Sequence, residues 1–238
     1  MGRLKSGIIL KDQVFVPDYD SYTDMLKELN IENDEFVCAE LSPVDGSIFS
    51  DLSTWQFNIN QDMLPDWFIY ERDKQRMVEA VKKWLKDHVF KNVDDLLELK
   101  GNDKYYLKNC KNVEAYDNCK IIARGNCTIK VYDNCTINAC NNSIVEAFNN
   151  STVYALNNST VYAQNKSTIS AFNNSTVYAF NNCTVDAHNK SEVNAYDNCI
   201  VKAYDDSNIN AYNDSIIESI DRKFDDKKFK RSNKRYFY

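Results

Sequence analysis

Residues 111–222 are one eight-residue unit written fourteen times. Ser151-Thr152-Val153-Tyr154-Ala155-Leu156-Asn157-Asn158 is a typical copy. Ser or Cys opens thirteen of the copies, and Lys111 opens the other. The third position is always Val or Ile, from Val113 to Ile217. The fifth is Ala in twelve copies, with Val131 and Ser219 as exceptions, and the last two are mostly Asn or Asp. A short period sustained over 112 residues specifies a solenoid.

Within the octad, positions one, three and five alternate with two, four and six. That is a strand period with one small apolar face. Val, Ile and Thr favour strand, and Asn at seven and eight tolerates left-handed backbone angles. Each octad is therefore a short strand and a sharp turn. One octad has no room to return to its own start, so a coil takes two. Position six supports the 16-residue coil independently. In alternate copies it reads Tyr116, Tyr132, Phe148, Gln164, Phe180, Tyr196 and Tyr212. The intervening copies read Arg124, Cys140, Leu156, Phe172, His188, Tyr204 and Ile220, with only two aromatics. Seven coils at strand spacing predict a narrow rod roughly 34 Å long. Its ends expose strand edges, which call for caps.

The expected fold is mainly β: a parallel β-solenoid with a small α+β N-terminal capping domain. Residues 1–102 form that domain, 103–222 the solenoid, and 223–238 a basic aromatic tail or cap. In the first part, Ile8-Ile9-Leu10 and Val14-Phe15-Val16 read as short strands joined by Lys11-Asp12-Gln13, and Ser21 opens a short helix. Residues 35–41 and the segment around Trp55, Phe57 and Ile59 are further strand candidates. Residues 71–90 are the clearest helix, with Met77, Val81, Trp84, Leu85 and His88 on one face. Asp94–Leu99 reads as a second short helix stopping at Gly101.

Charge narrows the function classes. The formal net charge is −6, divided as −7 over 1–110, −4 over 111–222 and +5 over 223–238. No apolar run approaches the ~20 residues of a membrane span, and no signal peptide opens the chain, so a cytoplasmic location without membrane contact is expected. Five of the eight cysteines (Cys119, Cys127, Cys135, Cys183 and Cys199) fill the Ser position, which marks small buried fillers. No metal or cofactor site is predicted. Two histidines, His88 and His188, lie about a hundred residues apart, and five glycines leave no phosphate loop. Asp186, Asp205 and Asp206 are the carboxylates to weigh for glycoside hydrolysis, but Asp also replaces Asn in these turns. The expectation is a protein that is not an enzyme.

Around the N-terminal domain, Asn60-Gln61-Asp62-Met63-Leu64-Pro65-Asp66-Trp67, the following amphipathic helix and the run of short repeats resemble accessory proteins of phages and prophages. Those carry a D-Q-D-x-L-P-x-W-like motif, and Asn60 departs from it. Pentapeptide-repeat proteins are a looser parallel in shape. The resemblance implies a phage factor acting in a bacterial host cell, without catalysis.

Three binding readings follow. The aromatic row Tyr116, Tyr132, Phe148, Phe180, Tyr196 and Tyr212 forms a ladder suited to a host protein or complex, or to a second copy in a two-fold dimer. The tail residues Lys227, Lys228, Phe229, Lys230, Arg231, Lys234 and Arg235 mix cations with rings. That suits single-stranded nucleic acid or a plug over the rod end. An acidic rod that mimics DNA is the third, although 34 Å of duplex carries about 20 charges against −4 in the repeat. Threonine rows at position two also raise ice binding, but Tyr154, Tyr162 and Tyr178 break the flatness it needs.

Overall fold

A computed structural model describes residues 5–32, 35–219 and 229–232. The chain divides into two compact units, 1–89 and 90–238.

In the first unit, strands β1 (Lys5–Ile9), β2 (Val14–Phe15), β3 (Val37–Pro43) and β4 (Trp55–Ile59) form an antiparallel sheet in the order β2-β1-β3-β4. Helix α1 (Tyr22–Glu28) starts at Ser21, whose Oγ accepts the Asp24 N–H at 3.3 Å. Helix α2 (Tyr70–His88) buries Met77, Val81 and Trp84, the face that the 3.6-residue spacing marks out. It packs on β1, β2 and β3. Gly7 permits that approach: a Cβ there would lie 2.8 Å from the Phe15 carbonyl oxygen and 2.9 Å from Met77 Cε.

One residue on the buried side of α2 is charged. Asp73 is fully buried and accepts hydrogen bonds from Arg76 at 2.7 Å, from Arg72 at 2.8 Å and from the Ile69 N–H at 2.8 Å. Burial by itself would raise this carboxyl. The three donors outweigh it and hold Asp73 below the usual carboxylate range. Arg76 also donates to the Leu10 carbonyl at 2.9 Å, which ties the first turns of α2 to the loop after β1.

The second unit is a parallel β-solenoid of about eight turns with about 16 residues per turn. Successive strands alternate between two nine-stranded sheets. Sheet I runs from Leu97–Leu99 to Phe229–Ser232, and sheet II from Val89–Lys91 to Ile216–Ser219. Registers step by one coil, as in Thr136↔Thr152↔Thr168↔Thr184 on sheet II. Positions one, three and five point inward and are almost wholly buried from Cys119 to Ala211.

The octad's chemistry is legible in its hydrogen bonds. The position-two N–H donates to the preceding coil, as from Thr152 to Cys135 O at 2.9 Å. Position six does the same, as from Phe148 to Val131 O at 2.9 Å. Position eight donates to the following coil in the central copies, as from Asn158 to Asn173 O at 3.2 Å, and to the preceding coil in the early ones, as from Asn134 to Asp117 O at 3.0 Å. In the central copies both turn residues sit at positive φ, for example Asn157 at 53° and Asn158 at 64°, whereas at Asp117, Asp133 and Asp205 only the first does. Asn tolerates that region better than other side-chain-bearing residues. Position one is buried because its side chain closes the turn: Ser159 Oγ donates to Leu156 O at 2.7 Å, and Ser167 Oγ to Gln164 O at 2.7 Å. Cys183 Sγ makes the same bond to Phe180 O at 3.0 Å, so thiol and hydroxyl interchange. Where two thiols stack, the hydrogen bond with Cys135 and burial push the Cys119 thiol up, and Cys199 responds likewise beside Cys183.

The expected helix at Asp94–Leu99 is not formed. Leu97–Leu99 is instead the first strand of sheet I, in register with Val113–Ala115. The period-two pattern Leu97-Glu98-Leu99 continues the core rows, and that pairing overrides local helix preference. Gly101, at φ 89°, is a turn residue with open space around it. The stack thus begins before the eight-residue period becomes legible. Among the described residues, no helix is long and apolar enough to cross a membrane.

Candidate functional site

Position six lines the two edges of the solenoid. On the edge after sheet I, Tyr116, Tyr132 and Phe148 stack with centroids 5.0 and 5.1 Å apart. Phe180, Tyr196 and Tyr212 form a second stack at 4.9 and 4.7 Å. Gln164 holds the rung between them, so the row is two three-ring stacks separated by one gap. At the gap lies an open depression of about 320 Å³ lined by Asn149, Asn150, Asn165, Lys166, Asn181 and Asn182. The six rings are half-buried, and each covers a neighbour's face. What they offer to solvent is their rims. Tyr116 also donates to Glu114 Oε2 at 2.5 Å, a bond that, with burial, pushes its hydroxyl up to about 12.

The opposite edge carries a stack that counting aromatics in the sequence missed. Phe172, His188 and Tyr204 stack at 4.8 and 4.3 Å. The imidazole acts there as a third ring, with Asp205 Oδ2 4.0 Å from its Nδ1. Asp205 sits at φ 51° and accepts the Asn189 N–H at 3.3 Å, which makes it a turn residue. Asp186 lies on the sheet II face, in register with Ser170 and Lys202. His88 packs on Trp84, with centroids 4.5 Å apart, and its Nδ1 lies 2.8 Å from the Trp84 carbonyl oxygen.

The broad faces of the solenoid are built by positions two and four. On sheet I, Ile144↔Thr160↔Thr176 and Glu146↔Tyr162↔Tyr178 run side by side. Tyr162 is 41% exposed and stacks on Tyr178 at 5.1 Å. On sheet II, four threonines occupy consecutive rungs, and Tyr154 is exposed beside them. From Cys135 to Asn181 only Glu146 and Lys166 are charged, and Glu146 has Lys130 3.8 Å away. The middle of the solenoid is therefore a charge-poor belt with tyrosines on both faces. The coils before it are charged. Lys104↔Lys120 and Lys108↔Arg124 align on sheet II, and Glu98↔Glu114 on sheet I. The position-four tyrosines were visible in the sequence as interruptions of a flat threonine face. Their grouping with the absence of charge was the signal that pattern reading passed over.

The tail enters the fold through one strand. Phe229–Ser232 pairs parallel with Ile209–Tyr212, in a register that sets Phe229 against Ile209, Lys230 against Asn210 and Arg231 against Ala211. Lys227, Lys228, Lys234 and Arg235 lie outside the described residues. In the N-terminal unit, the octamer Asn60–Trp67 is a braced loop. Gln61 accepts the Cys38 N–H at 2.7 Å and donates to Phe36 O at 2.9 Å and to Met63 O at 2.6 Å. Arg72 donates to Trp67 O at 2.7 Å. No family model, curated protein or solved structure matches the chain.

Proposed function

We propose that the chain is a non-enzymatic interaction protein whose charge-poor belt, centred on Tyr162 and Tyr178, seats a protein partner and blocks that partner's working surface. The observation that carries this reading is the contrast in charge. The belt holds two charged side chains in 47 residues of a chain that is 27% charged overall. Interface cores are depleted in charge and enriched in tyrosine. A solenoid whose backbone is bonded coil to coil has little freedom left to lose on binding, which lowers the entropic cost of association. The ring stacks Tyr116–Phe148 and Phe180–Tyr212 border the belt and widen the apolar area it offers.

The octamer resemblance adds context: a phage factor acting on a host protein or complex, including one that serves host defence. A second copy laid belt to belt would meet the same chemistry and give a two-fold dimer. Nucleic acid is the weaker reading. Base stacking needs free ring faces, and the stacked rings present rims. A belt with one cation offers no row of phosphate contacts.

The test is photo-crosslinking in bacterial lysate with benzoylphenylalanine replacing Tyr178, and in a second chain replacing Lys202 on the other sheet. A protein adduct of defined mass that survives nuclease and forms only from position 178 is expected. Equal adducts from both positions, or none from either, would overturn the belt as the seat.

A further inference from the structure

The loop that carries the octamer Asn60–Trp67 runs from β4 into α2, within the first unit. Gln61 and Arg72 brace its backbone from either end. Between them the Phe68 N–H donates to Pro65 O at 2.9 Å and closes a four-residue turn. Such a turn brings its ends within about 7 Å of one another, so Leu64 and Ile69 sit on its two arms. Tyr70 is fixed by an edge-on contact with Phe57 of β4, with centroids 5.6 Å apart. The apolar side chains of this rigid loop face solvent. Met63 is 81% exposed and Ile69 56%, with Leu64 and Tyr70 also exposed.

Two observations set this patch apart from incidental exposure. The first is the residue at the start of α2. Ile69 is the N-cap and makes no side-chain cap bond. Ser, Thr, Asp or Asn there would accept one of the orphan N–H groups, and an aliphatic side chain forgoes about 1 kcal/mol. Local preference gives way of this kind at functional positions. The second is charge. From residue 28 to residue 71 there are ten carboxylates and no Lys, Arg or His. Asp62, Asp66 and Glu71 interleave with the four apolar residues, are exposed, and have no ion-pair partner among the described residues. The next cation along the chain, Arg72, is already bonded to Asp73 and to the Trp67 carbonyl.

We infer that the loop Asp62–Glu71 binds a segment of another protein in which cationic side chains alternate with apolar ones. The apolar side chains of that segment cover Met63 and Ile69, and its Lys or Arg side chains meet Asp62, Asp66 and Glu71. Charge complementarity selects this occupant. A bilayer would bring its phosphates toward three unpaired carboxylates, and a purely apolar partner would desolvate them without compensation. The braced backbone is set before contact, which limits the ordering cost. This surface is separate from the belt and does not rest on the belt's having a partner. Few side chains take part, so the contact is weak and partly screened by salt.

The test is fluorescence anisotropy of a dye-labelled synthetic peptide alternating Lys with Leu, titrated with the full-length protein. Two control peptides carry Glu for Lys and Ser for Leu. A dissociation constant on the order of 1 to 100 μM is expected for the Lys-Leu peptide, with no saturable binding of either control. Asp62→Asn with Asp66→Asn should weaken binding about tenfold, the loss of two exposed ion pairs. Glu192→Gln with Asp214→Asn removes the same charge from exposed positions of the solenoid and should leave binding unchanged. Met63→Ser with Ile69→Ser should abolish binding, and because Ser is favoured at an N-cap, α2 is retained. Equal weakening by the two neutralised pairs, indifference to both loop variants, or no saturable binding by the wild type would each overturn the inference. Sedimentation and vesicle flotation test the other occupants. A wild-type dimer lost in the Met63→Ser, Ile69→Ser chain would assign the patch to a second copy. Flotation with neutral phosphatidylcholine vesicles, lost in the same chain, would assign it to lipid. Either result would overturn the inference too.

Discussion

At the scale of single residues, the octad's side chains are chosen by backbone demands more than by packing. Position seven needs a left-handed conformation and stacks on its neighbour: Asn173 sits at φ 50°, and its Nδ2 donates to Asn157 Oδ1 at 3.2 Å. Asn173→Ala should cost about 1–2 kcal/mol, the penalty of that region for an ordinary residue. Asn173→Gly should cost less, because only the ladder bond is lost; urea denaturation of both variants checks the order. Position one needs a small donor. Ser167→Ala should cost about 1 kcal/mol by leaving the buried Gln164 carbonyl without its side-chain donor, whereas Ser167→Cys should be closer to neutral, as Cys183 already demonstrates. Both rules were readable from the sequence, because a repeat displays the substitutions each position accepts. Asp73 was not readable. An Asp among Lys and Glu on a helix reads as solvated, and only the tertiary placement of Arg76 and of the Leu10 carbonyl makes it a buried anchor.

Asp73 acts on an element, by fixing where α2 begins. Its folded-state pKa lies below the unfolded one. The stability it contributes is therefore present above the unfolded value of about 4 and is lost as pH falls through the folded value. Asp73→Asn should destabilise the N-terminal unit by about 3 kcal/mol at neutral pH and flatten the acid limb of its stability curve, read across a pH series by the fluorescence of Trp55, Trp67 and Trp84, all of which lie in that unit. The ring stacks make a second claim at this scale. Gln164 interrupts six aromatics, and Gln164→Tyr would join Phe148 to Phe180 through two new ring contacts. At about 1 kcal/mol per aromatic pair, the variant should gain about 2 kcal/mol in chemical denaturation. Element types were legible wherever a period repeats. The segment 94–99 was misread because three residues hold too little pattern to separate strand from helix. Its pairing partner, Val113–Ala115, lies sixteen residues away.

The whole molecule joins an ordinary α+β unit to a solenoid whose interior is nearly uniform and whose exterior is not. Uniformity inside let the architecture be read from the chain: fixed core rows require stacked coils of constant size. The candidate surface was only half legible. The aromatic row at position six was visible as a column of letters, yet its rings spend their faces on one another. The charge-poor belt was also present in the sequence, as the run from Cys135 to Asn181 with two charges, but reading the octads position by position passes over it. On the proposal made above, this belt, and not the tail or the ring edges, holds a protein partner. Its most direct test is affinity capture from nuclease-treated bacterial lysate with three chains at equal loading: the wild type, Tyr162→Ser with Tyr178→Ser, and Lys234→Glu with Arg235→Glu. Circular dichroism beforehand confirms that the solenoid is intact in each. One protein should be retained at fixed stoichiometry by the wild type and the tail variant, and lost from the tyrosine variant. Retention by the tyrosine variant with loss from the tail variant would contradict it and move recognition to the C-terminal segment.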